Sequence, residues 1–152
     1  MKFELRNGTD FLQIETIEKL ISPFTQSEFD KDSVNTIISV RSGHFKGEYP
    51  FKMVSVDFEW LKRGFKRLYN NLGEVFNFDC FDRGFLVLKI KGDGIGHFEC
   101  DCIVNDNPGI YGTELIFRLE FDQTEINDLV YQLDLITKTY PIIGKEFGIK
   151  NE

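Results

Sequence analysis

His97, Glu99 and Asp101 lie two residues apart in the segment IGHFECDCIV. On an extended strand that spacing puts all three side chains on one face. A histidine next to two carboxylates is raw material for a cation site or for acid–base chemistry. The other face of the same segment carries Phe98, Cys100, Cys102 and Val104. Two thiols on one strand face do not make a metal site, which needs three or four convergent ligands. Cys80 could join them only if its strand lay alongside, and the chain has no Cys-x-x-Cys. Simpler physics accounts for both faces. A half-exposed antiparallel strand carries polar residues on its solvent side, and buried free cysteines behave as small apolar residues.

Gly92, Gly94 and Gly96 form G-x-G-x-G and join strand to strand. No helix N-terminus follows to hold a phosphate, so this is a hairpin turn. His44 follows a turn, with no cysteine or serine motif beside it, and neither a nucleophile elbow nor a P-loop occurs. Trp60 falls off the main apolar stripe of its helix, either as core or as an exposed aromatic anchor of the kind interfaces favour. The residues therefore assign no catalytic group, no cofactor and no metal.

These side chains must be positioned by a chain of 152 residues, which has the length of one domain spanning 1–152. The 16 phenylalanines against 2 methionines point to a β-rich interior filled by rigid rings. A net charge of −7 argues against nucleic acid as a partner, because neutralising phosphate needs clustered Lys and Arg. A basic protein is the better electrostatic match. The opening MKFELRNGTDF alternates like a strand instead of forming a signal peptide, and no apolar run reaches the roughly 20 residues of a membrane span. Three cysteines, an odd number, argue against a disulfide framework and for a reducing cytoplasm.

Alternation predicts strands over 2–6 and 11–17, bracketing a loop of about four residues at Asn7–Asp10. Residues 18–33 read as a surface loop. A third strand covers 34–40, and an extended run from about His44 to Val56 contains Pro50, which favours a sheet edge or a break. A helix over about 57–72 follows, with Asp57 as N-cap, a stripe of Phe58, Leu61, Phe65, Leu68, Tyr69 and Leu72, and Gly73 as its closing glycine. Gly64 within it costs about 1 kcal/mol against alanine unless a neighbour needs the space. Strands at about 74–80, 84–91 and 95–104 form a meander.

The last strand alternates Leu115, Phe117, Leu119 and Phe121 with Glu114, Arg118 and Glu120. It runs into a second helix over 123–140, with Asp122 and Glu125 at capping-box spacing and Pro141 beyond its end. This is an α+β chain: an antiparallel sheet of about seven to nine strands with two main helices packed against it. No internal repeat or linker is visible.

From Glu114 to Asp134 there are six acids and one base, Arg118. Such a run is what a protein that docks to a basic partner would present. Adding the strand at 95–104, the candidate partner-binding acids are Glu99, Asp101, Glu114, Glu120, Glu125, Asp128 and Asp134.

The chain resembles the WapI family of immunity proteins of polymorphic-toxin and contact-dependent inhibition systems. The likeness runs from Phe3-Glu4-Leu5 through Gly43-His44-Phe45-Lys46-Gly47 and Asp57-Phe58-Glu59-Trp60-Leu61. It continues through Leu72-Gly73 and Gly94-Ile95-Gly96-His97-Phe98, then Leu119-Glu120-Phe121-Asp122-Gln123-Thr124-Glu125 and Tyr140-Pro141. The resemblance implies a bacterial cytoplasmic protein, not an enzyme, that binds the toxic C-terminal domain of a secreted toxin, often a nuclease, and occludes it. It carries over no binding residue. Two other readings follow from the residues: a small-molecule pocket enclosed by the Phe-rich sheet, and a metal-dependent hydrolase using His97, Glu99 and Asp101.

Overall fold

The computed structural model describes residues 1–19 and 31–143. Four strands come first, β1 (Lys2–Asn7), β2 (Asp10–Lys19), β3 (Ser33–Ser42) and β4 (Phe45–Val54), followed by helix α1 (Ser55–Asn70). The same order then recurs: β5 (Val75–Asp79), β6 (Leu86–Gly92), β7 (His97–Asn105), β8 (Glu114–Asp122) and helix α2 (Gln123–Thr139). The α+β class holds, and the eight strands among the described residues fall within the expected number. They divide into two four-stranded antiparallel meanders, β1–β4 and β5–β8. α1 separates the two sets in the chain, and β1 lies against β8 where the sheets meet. This recurrence of four strands and a helix leaves no trace as a sequence repeat.

One buried cluster joins both halves. Phe65 of α1 is its hub. Its ring centroid lies 5.7 Å from that of Phe3 on β1, 6.1 Å from Phe76 on β5 and 5.9 Å from Phe121 on β8. Phe121 stacks in turn on Phe98 at 5.2 Å. Each such ring, fully buried, contributes on the order of 1.5–3 kcal/mol. Burying Phe65 therefore ties a helix and both sheets into one cooperative unit. Gly64 beside it is explained by Phe76, whose ring atoms would stand 2.1–2.3 Å from an added Cβ. At the other end of the molecule, the Phe51 and Phe85 rings stack at 4.4 Å, and the Tyr49 hydroxyl donates to the Phe85 carbonyl.

Several local expectations change. Asn7 pairs with Asp10, so the first hairpin has a two-residue turn with Gly8 at φ 63°, not a four-residue loop. Of the two alternatives at Pro50 the edge holds and the break does not, since β4 runs unbroken through it as an edge strand. Helix α1 starts two residues before Asp57, which stands at the third helical position and is not the N-cap. From there its carboxylate reaches back to the N–H of Val54 at 3.0 Å and across to that of Phe81 at 2.8 Å. Burial raises its pKa from 3.8 to about 6. The helix ends through the Asn71 N–H on the Arg67 carbonyl, and Gly73 is not left-handed. Of the loop expected at 18–33, Glu18 and Lys19 belong to β2 and Ser33 opens β3. Its residues 20–30 lie outside the described residues.

Candidate functional site

The outward face of the second sheet carries most of the candidate residues, because alternation points Phe98, Cys100, Cys102, Phe117 and Leu119 into the core. Across β7 and β8 the outward pairs are His97 with Asp122, Glu99 with Glu120, Asp101 with Arg118, Ile103 with Ile116 and Asn105 with Glu114. Two glutamates directly opposite repel. Arg118 offsets this: its Nε lies 2.9 Å from Asp101 Oδ1 and its Nη1 3.3 Å from Glu99 Oε2. On the other side of β7, Lys89 stands opposite Asp101 and Lys91 opposite Glu99.

At the α2 end of this face, His97 Nδ1 is 2.6 Å from Asp122 Oδ1. That hydrogen bond, together with the Asp122 and Asp93 charges, raises the His97 pKa above 6.5. Asp93 accepts the N–H groups of Ile95 at 2.8 Å and His97 at 3.1 Å, and these bonds hold its pKa below the ordinary carboxylate value. Glu125 Oε2 accepts the Asp122 N–H at 2.7 Å, the capping contact its spacing predicts. Between these groups and the β1–β2 hairpin lies an open cleft of about 830 Å³, with Arg6 and Lys91 on its walls beside Glu99, Glu120 and Glu125.

The seven candidate acids do not form one patch. Glu99, Glu120 and Glu125 share the cleft, and Asp101 adjoins them through Arg118. Glu114 lies at the far end of β8, eight residues from Asp122 and so about 27 Å along the strand. Asp128 accepts a hydrogen bond from Gln132 at 2.8 Å on α2. Asp134 is held between Lys138 at 2.8 Å and Lys62 of α1 at 3.7 Å, and the Lys138 bond lowers its pKa.

The other chemistries find little support in this geometry. Glu99 and Asp101 turn to Arg118 while His97 turns to Asp122, and no three metal-binding side chains converge among the described residues. Cys100 and Cys102 are buried with their sulfurs 3.6 Å apart, and Cys80 follows β5, which pairs with β6 and not β7. The cleft is open and charged, unlike an enclosed apolar pocket. Trp60 is 36% exposed and belongs to the surface.

Sequence reasoning passed over an apolar row on the same face. Val87, Ile103 and Ile116 all occupy outward positions and stand side by side across β6, β7 and β8. Ile116 is 64% exposed. The signal was its parity, since it falls between Glu114 and Arg118 on the polar side of the alternation.

An α+β chain with a broad open sheet face and paired surface charges has the character of a protein-binding domain. The family model for the immunity protein WapI-like family matches residues 3–141, and the chain belongs to that family. Its class of function is accordingly immunity, with a toxin protein as the partner. No curated protein matches the chain. Among solved structures it is similar to WHY3 from Arabidopsis thaliana, with 14% identity and a TM-score of 0.51 over 92% of this chain and 88% of that one. WHY1 from Arabidopsis thaliana has 16% identity and a TM-score of 0.49 over 94% and 85%. The plant transcriptional regulator PBF-2 has 16% identity and a TM-score of 0.46 over 92% and 81%. At 14% identity the likeness to WHY3 is one of fold alone. No helix among the described residues is long and apolar enough to cross a membrane.

Proposed function

We propose that the protein neutralises the toxic domain of one cognate secreted toxin by stoichiometric occlusion, inside the cytoplasm of the cell that makes it. The observation that carries this reading is the family match over 3–141, which spans both sheets and both helices. The cognate domain is basic, as a nuclease that grips phosphate would be. A chain of net charge −7 with acids on its exposed sheet face attracts such a partner and speeds encounter. Three free buried cysteines suit a reducing compartment. The chain acts as one domain and needs no cofactor, since occlusion requires only a complementary surface.

The test is co-expression with the toxin domain encoded beside it. Cells making both should survive, and the two proteins should purify together. Death of cells expressing both, with each protein soluble and folded, would end this reading.

A further inference from the structure

On the reading of the protein as a toxin-binding domain, we infer that the docking surface is the outward face of the second sheet, centred on the row Val87–Ile103–Ile116. The partner is a basic protein domain that presents an apolar contact ringed by Lys and Arg.

Each of three adjacent strands puts an apolar residue at an outward position at one shared level, which lines up three β-branched side chains, Ile116 exposed and Val87 and Ile103 half-buried. An isolated exposed isoleucine needs no explanation, whereas a row continuous across strands marks contact with another molecule. The β7–β8 loop lies at the same end of the sheet. It carries Ile110 at 69% and Tyr111 at 106% exposure. Its backbone is held: Thr113 N–H donates to Asp106 Oδ1 at 2.8 Å and Asn107 N–H to Asn105 Oδ1 at 2.9 Å. Gly112 sits so close to Asn105 and Asn107 that any Cβ would clash. Two large apolar side chains are thus presented on a pre-ordered tip, and pre-ordering lowers the entropy cost of binding.

Charge selects the occupant. Around the row, the outward positions of this sheet carry Asp79, Glu99, Asp101, Glu114, Glu120 and Asp122 against Lys89, Lys91 and Arg118, a balance of −3 with His97 neutral. An apolar centre with a polar rim is the usual anatomy of a protein interface. An acidic rim repels a second copy of itself and repels phosphate, and it attracts a basic protein. Size is adequate: four strands about 4.8 Å apart and up to nine residues long span roughly 15–20 Å by 30 Å. Side-chain relief and the loop bring that flat area toward the roughly 800 Å² per partner of a stable complex.

The test measures affinity of the purified protein for the toxin domain encoded beside it, with protection of cells as a parallel readout. Ile116→Lys and Tyr111→Ala alter exposed side chains, so the folded state and thermal midpoint should stay close to wild type. We expect Ile116→Lys to weaken binding at least 100-fold and Tyr111→Ala at least 10-fold. Asp128→Asn, on α2, should change it less than 2-fold. Full affinity and protection in the Ile116→Lys, Tyr111→Ala double variant would overturn the assignment of this face while leaving the immunity function intact. Absence of binding and protection by the wild-type protein would overturn both. A wild-type dimer that Ile116→Lys converts to monomer would overturn the toxin as occupant and assign the face to a second copy.

Discussion

Arg118 on β8 stands directly opposite Asp101 on β7, and its guanidinium spans Asp101 and Glu99 at 2.9 and 3.3 Å. One cation thereby occupies two of the carboxylates that would otherwise attract a basic partner. All three side chains are about half exposed, so the pairs add little to stability. Their effect is on the field in front of the sheet.

Replacing Arg118 with Gln should therefore leave the thermal midpoint nearly unchanged and make the sheet face more negative. Association with the toxin domain should become several-fold faster at low salt, and the gain should shrink as salt is raised. Stopped-flow association at two ionic strengths would check this. A slower association at low salt would mean that Arg118 itself contacts the partner.

Asp57 gives the fold a pH dependence whose sign differs from that of a paired surface carboxylate. Burial raises its pKa from 3.8 to about 6 in the folded state, so the native protein holds this proton more tightly than the unfolded chain. Stability from this group is then greatest at low pH and falls as pH rises from about 4 to about 6. A rise of this size corresponds to about 3 kcal/mol across the window. Asp57→Asn removes the ionisation. The difference in unfolding free energy, wild type minus variant, should fall by about that amount between pH 4 and pH 7 in urea titrations. His97 acts in a separate window. Its raised pKa, caused first by Asp122, contributes stability below pH 6.5 that is lost at higher pH.

Gly64 sets two effects against each other. Alanine in a helix interior is worth about 1 kcal/mol over glycine. Here the added methyl would overlap the Phe76 ring at 2.1 Å, and overpacking of a core costs typically 1–3 kcal/mol. The overlap involves three ring atoms and should win, so Gly64→Ala is expected to lower stability by about 1–2 kcal/mol. Adding Phe76→Leu to Gly64→Ala should cost less than the sum of the single changes, a coupling that a double-mutant cycle by chemical denaturation would measure.

Much of this architecture is legible residue by residue. The alternation at 114–121 and the Asp122–Glu125 spacing give β8, the corner and the start of α2 almost to the residue. Local patterns reach less far where two chemistries satisfy the same sequence. An aspartate suits both the N-cap and the first turn of a helix, and only the position of Val54 places Asp57 at the third residue. The division into two sheets depends on which strand edges meet across α1, a long-range choice that alternation does not record. The acids from Glu114 to Asp134 are continuous in sequence, yet Asp134 is paired by Lys138 one turn on and by Lys62 of the other helix, while Arg118 turns to Asp101 and Glu99 on β7. The apolar row was hidden for a related reason, since Val87, Ile103 and Ile116 become a row only when β6, β7 and β8 take their register.

The most direct test of stoichiometric immunity is a titration of the toxin domain's activity with the purified protein at concentrations far above the dissociation constant. Activity should fall linearly and reach zero at one equivalent. Full inhibition by a small fraction of an equivalent, or persistent activity at several-fold excess of folded protein, would contradict it.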